Sequence, residues 1–356
     1  MTASKYTDTS KYCFMVDVSH WKEGFDLSYV KAQCQANGID LAALSMKAAE
    51  LCYEAQPIDD CIDDQLANFV QQAYDNDLPA LPFVFHNPQY YPEAWGSSID
   101  RAGVDTDKQV IVTRQALKNK LYHGFVFDFE RWWIDYNEYN AWRKGTLEQS
   151  AVRTVSNGIN LRSSGLFMAN IKKAMELGYL RNVPTFIYTR RSFIEEWTRT
   201  TDGGSLYDYT PKHLPWEAYY PDATIRKLTW AQLKDYFPTD GYKPLGINAP
   251  NCIWQFTDRI QLPVNASGTY QAVDLNIIMM PKSQFWSILG YTPRTTETPV
   301  VDDPVEETPP TGDSGEENTP LDVSQLTDAV AALNADMVTL NSKADDILSI
   351  LNTHFK

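Results

Sequence analysis

Gly124-Phe-Val-Phe-Asp128-Phe-Glu130-Arg-Trp-Trp133 is the stretch on which the reading of this chain turns. Successive side chains of a β-strand point to opposite faces, so Val126, Asp128 and Glu130 share one face and Phe125, Phe127 and Phe129 the other. Three phenylalanines on one face need an apolar layer to cover them. If that layer is made of helices, both acids face the interior of a barrel, at the C-terminal rim where chemistry gathers in such folds.

Working outward, short apolar runs recur at Cys13–Ser19, Leu41–Lys47, Leu81–His86, Gly124–Glu130, Pro184–Thr189, Pro215–Tyr220, Cys252–Thr257 and Ala272–Ile278. Several are continuous instead of alternating, as strands covered on both faces are. Amphipathic stretches at Asp26–Asn37, Asp63–Asn76, Asp105–Lys120 and Asn137–Ser156 are long enough for helices. Eight strands with interleaved helices predict an α/β fold, a TIM-like (β/α) barrel with a reduced helix set; a doubly wound open sheet gives a similar pattern.

The formal charge is −15, which argues against nucleic acid or an anionic membrane as partner, since both repel such a surface. No run approaches the length of a membrane span, and the N-terminus lacks a basic start followed by an apolar run. The expectation is synthesis in a cytoplasm without a classical signal peptide and without membrane insertion. Five cysteines, an odd number without Cys-x-x-Cys spacing, are read as reduced, with Cys52 and Cys61 as the one pair close enough to bridge a loop. No second histidine stands at ligand spacing from His86, so neither a metal nor another cofactor is expected, and His86 is read as a hydrogen-bonded structural residue.

Composition changes after Tyr291. Residues 292–320 are rich in proline, threonine and acids, with Arg294 as the only base, and should form an extended, solvated linker after a barrel at 1–291. In 321–356, Val323, Leu326, Val330, Leu333, Met337, Leu340, Ala344, Ile347 and Leu351 follow alternating steps of three and four, an a/d seam. A lone helix leaves that seam in water. The segment is therefore predicted to be a coiled coil that makes the protein a homo-oligomer, trimer or dimer, with folding back onto the barrel as the alternative.

The chemistry begins with the two acids of the opening stretch. A rise of about 3.3 Å per residue puts their Cα atoms roughly 6.6 Å apart, which lets the carboxyl groups flank one glycosidic bond. Close carboxyls in an apolar setting have pKa values pushed apart, one group keeping its proton to donate and one staying ionised. An isolated Asp-x-Glu is more often a rim ion pair or a loop cap. Asp17, at the end of the first run, and Asp274, at the end of the last, become neighbours of that pair if the barrel closes.

These motifs, taken in order, resemble the glycoside hydrolase family 25 lysozymes: FMVDVSHW at 14–21, VFDFE at 126–130, FIYT at 186–189 with Trp197, CIWQFTD at 252–258 and AVDLN at 272–276. The resemblance spans about residues 13 to 280. It implies a barrel with fewer helices than the full TIM pattern, acting on the β-1,4 bond between N-acetylmuramic acid and N-acetylglucosamine. Carried over by motif, Glu130 corresponds to the general acid/base, Asp128 to the partner that orients the substrate acetamido group or stabilises the cationic transition state, and Asp17 and Asp274 to supporting acids. Trp21, Phe85, Tyr188, Trp216, Tyr219 and Trp254 follow or end strands and are candidates for a sugar platform, core packing being the other use of such rings. Lys47 matches a basic position near the family's cleft. The chain departs from the pattern at Trp21-Lys-Glu-Gly24 and at Leu51 after Lys47-Ala-Ala-Glu50, changes that touch the cleft edge and not the acids.

Two readings follow. One is a lysozyme-type hydrolase acting on the bacterial wall, a phage endolysin or a virion-associated lysin. The other is a non-catalytic glycan-binding structural or receptor-binding protein of a phage particle, which the C-terminal seam would suit.

Light scattering at micromolar concentration checks the seam: the full chain is expected to be a trimer or dimer, and a chain ending at Tyr291 a monomer. Two monomers would remove the coiled-coil reading.

Overall fold

Eight strands close into a ring. In a computed structural model the protein is described at residues 4–50, 57–86, 101–130, 141, 144–146, 149–200, 202–209, 212–222, 224–238 and 253–294. The chain divides into two units, Met1–Thr295 and Thr296–Lys356, and the described residues belong to the first. The heptad segment 321–356, and all but the first three residues of the acidic linker, lie outside them.

The strands are β1 (Cys13–Val18), β2 (Leu41–Ala49), β3 (Ala80–Phe85), β4 (Phe125–Phe129), β5 (Thr185–Thr189), β6 (Leu214–Ala218), the two-residue β7 (Arg226–Lys227), β8 (Ile253–Pro263) and β9 (Tyr270–Ile278). They pair in the order β6-β5-β4-β3-β2-β1-β9-β8, and β6 pairs with β8 to complete the ring, so the sheet is a barrel and not an open doubly wound sheet. β7 lies outside the ring on the free end of β8. First and last strands are neighbours, as expected, but β9 runs antiparallel to both β1 and β8. Asp274 therefore stands at the midpoint of its strand and not at its end; it reaches the rim because a reversed strand enters the ring from the rim.

Alternation separates two apolar layers. Met15, Leu81, Val126, Phe186, Trp216, Ile253 and Ile278 fill the barrel interior, while Phe125, Phe127 and Phe129 join the layer between sheet and helices. Full burial of such a side chain stabilises the fold by about 1.5–3 kcal/mol. The helices supply the outer cover with apolar stripes. In α1 (Leu27–Ala36) the buried residues are Leu27, Val30 and Cys34, and Asp26 caps it by accepting from the backbone of Ser28 and Tyr29 at 2.9 and 3.1 Å. In α2 (Leu66–Asp75) they are Leu66, Phe69, Val70 and Ala73. The longer α3 (Arg101–Leu117) and α4 (Gln149–Glu176) flank β4, α5 (Arg191–Trp197) follows β5, and α6 (Trp230–Tyr236) precedes β8. Cys13 and Cys34 are buried free thiols.

His86 ties this layer together beneath the rim. Its ring is stacked on Phe167 at 4.9 Å, its Nδ1 lies 2.6 Å from Gln109 Oε1 and its Nε2 3.0 Å from Ser163 Oγ. Burial lowers its pKa to about 4, so it is a neutral structural histidine at physiological pH. Its backbone N–H donates to the carbonyl of Asp128 at 3.0 Å, fixing the end of β4.

The opposite pole is closed by α7 (Lys282–Ile288), whose fully buried Phe285 and the following Leu289 enter the barrel interior. Gly124 sits against this plug. A Cβ there would lie 2.9 Å from Phe186, 3.2 Å from Leu81 and 3.3 Å from Leu289. Gly124→Ala is accordingly expected to cost about 1–3 kcal/mol, the range for overpacking a full core, read from the denaturant midpoint. An unchanged midpoint would show slack at this pole.

Candidate active site

Register sets the floor of the cleft. Phe85 pairs with Asp128, Asp128 with Tyr188 and Tyr188 with Trp216, so these four side chains form one row across β3 to β6. On the other side of the ring Asp17 pairs directly with Asp274. Above these rows opens a cleft of about 510 Å³ lined by Asp17, Trp21, Lys47, Phe85, Asp128, Glu130, Tyr188, Trp216 and Asp274, among others. A hollow of about 1110 Å³ at the other pole is lined by Arg114, Lys118, Tyr179 and Arg181 among others, with no Asp or Glu, so it offers no pair of carboxyls.

Asp17 and Asp274 hydrogen-bond to each other, which two carboxylates cannot do without a shared proton. Burial raises both pKa values, and the charge of Asp17 raises that of Asp274 further. Asp17 is the better acceptor because Asn276 Nδ2 and Gln255 Nε2 donate to its Oδ2 at 2.8 and 3.1 Å. The amides are themselves oriented, since Trp216 Nε1 donates to Asn276 Oδ1 at 2.9 Å and the Tyr188 hydroxyl to Gln255 Oε1 at 2.7 Å.

Asp128 is 5% exposed, and its Oδ1 is buried without a hydrogen-bond partner among the described residues. Burial, then Glu130, then Asp17 raise its pKa well above the carboxylate range, against the weaker pull of Arg190 and Lys47. Glu130, one step past β4, is half-buried at the cleft wall, and Arg190 Nη2 donates to its Oε2 at 3.2 Å. The two acids of the opening stretch thus sit in unlike surroundings, one desolvated and the other beside a cation.

Trp21 projects from the rim, 76% exposed, with its ring 4.3 Å from that of His20. Lys47 lies inside the rim, its Nζ 2.7 Å from Glu50 and 3.7 Å from Asp63. Two of the platform candidates are placed elsewhere. Trp254 faces outward, 1% exposed, packed on Tyr6 at 5.6 Å with its Nε1 donating to the carbonyl of Tyr219 at 2.8 Å. Tyr219 is half-exposed and away from the cleft, whereas its neighbour Tyr220 lines it. Arg190, Gln255 and Asn276 were not singled out from the sequence, although Gln255 and Asn276 stand two residues from inward-facing Ile253 and Asp274 and alternation alone would place them inside. Among the described residues no group of three His, Cys, Asp or Glu side chains is placed to hold a metal ion, and no helix is long and apolar enough to cross a membrane.

No protein-family model matches the chain, and no curated protein matches it. Solved structures do. The chain is similar to the catalytic domain of endolysin ply40 from bacteriophage P40 of Listeria monocytogenes, at 14% identity and a TM-score of 0.45 over 79% of this chain and 98% of that one. It is similar to a family 25 glycosyl hydrolase from Bacillus anthracis, at 12% identity and a TM-score of 0.43 over 80% of this chain and 97% of that one. A third is the spore cortex lytic enzyme SleM of Clostridium perfringens, at 15% identity and a TM-score of 0.44 over 79% of this chain and 69% of that one.

The raised pKa of Asp128 has a consequence for stability. In the unfolded chain an aspartate ionises near 3.9. A folded pKa above that contributes stability that is present below about pH 3.9 and lost as pH rises through the folded value. Asp128→Asn is therefore expected to melt a few degrees above wild type at pH 7 and level with it near pH 3.5. A variant less stable than wild type at pH 7 would mean that the buried carboxylate is well compensated.

Proposed function

We propose that this cleft hydrolyses the glycan strand of bacterial peptidoglycan at the β-1,4 bond between N-acetylmuramic acid and N-acetylglucosamine. The observation that carries the proposal is the inward-facing pair Asp128 and Glu130 in opposed environments, with Asp17 and Asp274 across the same cleft. Glycoside hydrolysis needs a proton donor to the leaving oxygen and a second acid that answers the positive charge growing on the sugar. Glu130, at the cleft wall, is the donor and later the base. Asp128, buried beside it with Oδ1 unengaged among the described residues, accepts the acetamido N–H and orients that group toward the developing cation. Asp17 and Asp274, sharing a proton, hold the floor polar without adding two full charges.

Phe85, Tyr188 and Trp216 form the floor on which the apolar face of a sugar stacks, and Trp21 extends that surface at the rim. The chain works as an endolysin or virion-associated lysin, oligomerised through 321–356. The heptad seam also suits a non-catalytic glycan-binding component of a phage particle, and activity separates the two.

Glu130→Gln is expected to abolish wall hydrolysis with little change in stability, and Asp128→Asn to lower it by orders of magnitude; loss of a general acid costs roughly 10²–10⁴-fold. Turbidity clearing of purified walls reads both. Activity of Glu130→Gln within about threefold of wild type would remove Glu130 from the donor role, and a strong loss of wild-type rate in EDTA would oppose a mechanism run by two carboxyls.

A further inference from the structure

The cation beside Glu130 has spare capacity. A guanidinium carries five N–H donors in a planar fork. Arg190 uses one of them on Glu130, at 3.2 Å, and the rest have no protein partner among the described residues although the side chain lines the cleft. The other cleft cations face acids that belong to the wall: Lys47 is engaged by Glu50 and Asp63, and Arg259 by Asp258 at 3.3 Å. Arg190 faces the acid that must give up a proton.

Its position is fixed. Arg190 immediately follows β5 in extended conformation and is the N-cap residue of α5, its carbonyl accepting from Phe193 at 2.9 Å. Thr189 pairs with Phe129, and its hydroxyl donates to the Phe129 carbonyl at 2.7 Å, so Arg190 and Glu130 leave two clamped strand ends side by side. The side chain itself is 47% exposed on that fixed base.

We infer that Arg190 is a carboxylate receptor for the wall glycan, its spare N–H donors taking a substrate carboxylate beside Glu130. The inference rests on the proposed hydrolysis of that glycan. N-acetylmuramic acid carries a lactyl carboxylate, free where the stem peptide has been removed, and the stem peptide carries carboxylates of its own; either offers the fork a bidentate partner. Among the described residues Arg190 is ion-paired with Glu130, and the charge of Glu130 acts in turn on Asp128 and Tyr188.

The experiment compares full-length wild type, Arg190→Gln and Arg190→Lys on three substrates: strands with stem peptides intact, strands stripped to free lactyl carboxylates, and stripped strands whose carboxylates are converted to methylamides. Wild type is expected to favour the stripped acid over its amide by about tenfold or more in kcat/KM, the scale of a charge-assisted hydrogen bond. Arg190→Gln is expected to bring that ratio within about twofold, and Arg190→Lys to keep most of it. Preference for intact strands over stripped ones assigns the receptor to the peptide, and the reverse to the lactyl group. A wild-type ratio in Arg190→Gln would overturn the inference while leaving the hydrolase standing. Wild type that cuts none of the three overturns the underlying reading and the inference with it.

Discussion

Barrel closure runs through one antiparallel strand, and the register that β9 takes against β1 decides what the cleft contains. Asp17 is paired with Asp274 across that seam, two residues from the pairing of Met15 with Asn276. The side-chain period of a strand is two, so a slip of one residue would turn Asp274 and Asn276 outward and bring Val273 and Leu275 in. The seam would then be apolar, Asp17 would lose its proton partner and one of its two amide donors, and Trp216 would lose the acceptor of its indole N–H. Only the Tyr188–Gln255–Asp17 chain, which runs through β5 and β8, would be left of the floor contacts described.

The cleft is expensive in electrostatic terms, and the structure shows how that cost is contained. Three aspartates are buried at one end of a barrel whose interior is otherwise apolar. Two of them share a proton, one keeps its carboxylate under amide donors, and the third is driven toward the neutral form by burial. Lys22 adds a cation near the seam, its Nζ donating to the Ala272 carbonyl and its charge lowering the pKa of both Asp17 and Asp274. Charge in the cleft is thereby limited chiefly by protonation and amide donors, which leaves a donor-competent site at the pH where a strong cation cluster would hold the acids ionised.

Much of this was legible in the sequence because strand alternation is a local property. The eight apolar runs all became strands of the ring, and the face assignment in Phe125–Glu130 followed from phenylalanines that need a hydrophobic cover. What escaped detection has equally local reasons. Alternation reads the same in both directions, so nothing in Gln271–Ile278 distinguishes a reversed strand from a parallel one. In Cys252-Ile-Trp-Gln-Phe both faces carry large apolar groups, which leaves the phase open, and Trp254 was placed inside when Ile253 and Gln255 take that face. Tyr219 and Tyr220 are chemically alike and differ only in which side of the chain each occupies as β6 ends. Arg190 was invisible because an arginine after a strand is usually solvated; its meaning comes from Glu130 across the β4–β5 pairing.

A glycan cut at one bond by the acids of this barrel must leave new ends of a single chemistry. Purified walls digested with the protein, reduced with borohydride and analysed by mass spectrometry should show new reducing ends on N-acetylmuramic acid alone. New ends on N-acetylglucosamine, freed amino groups from peptide cleavage, or no new ends would contradict the proposed cut.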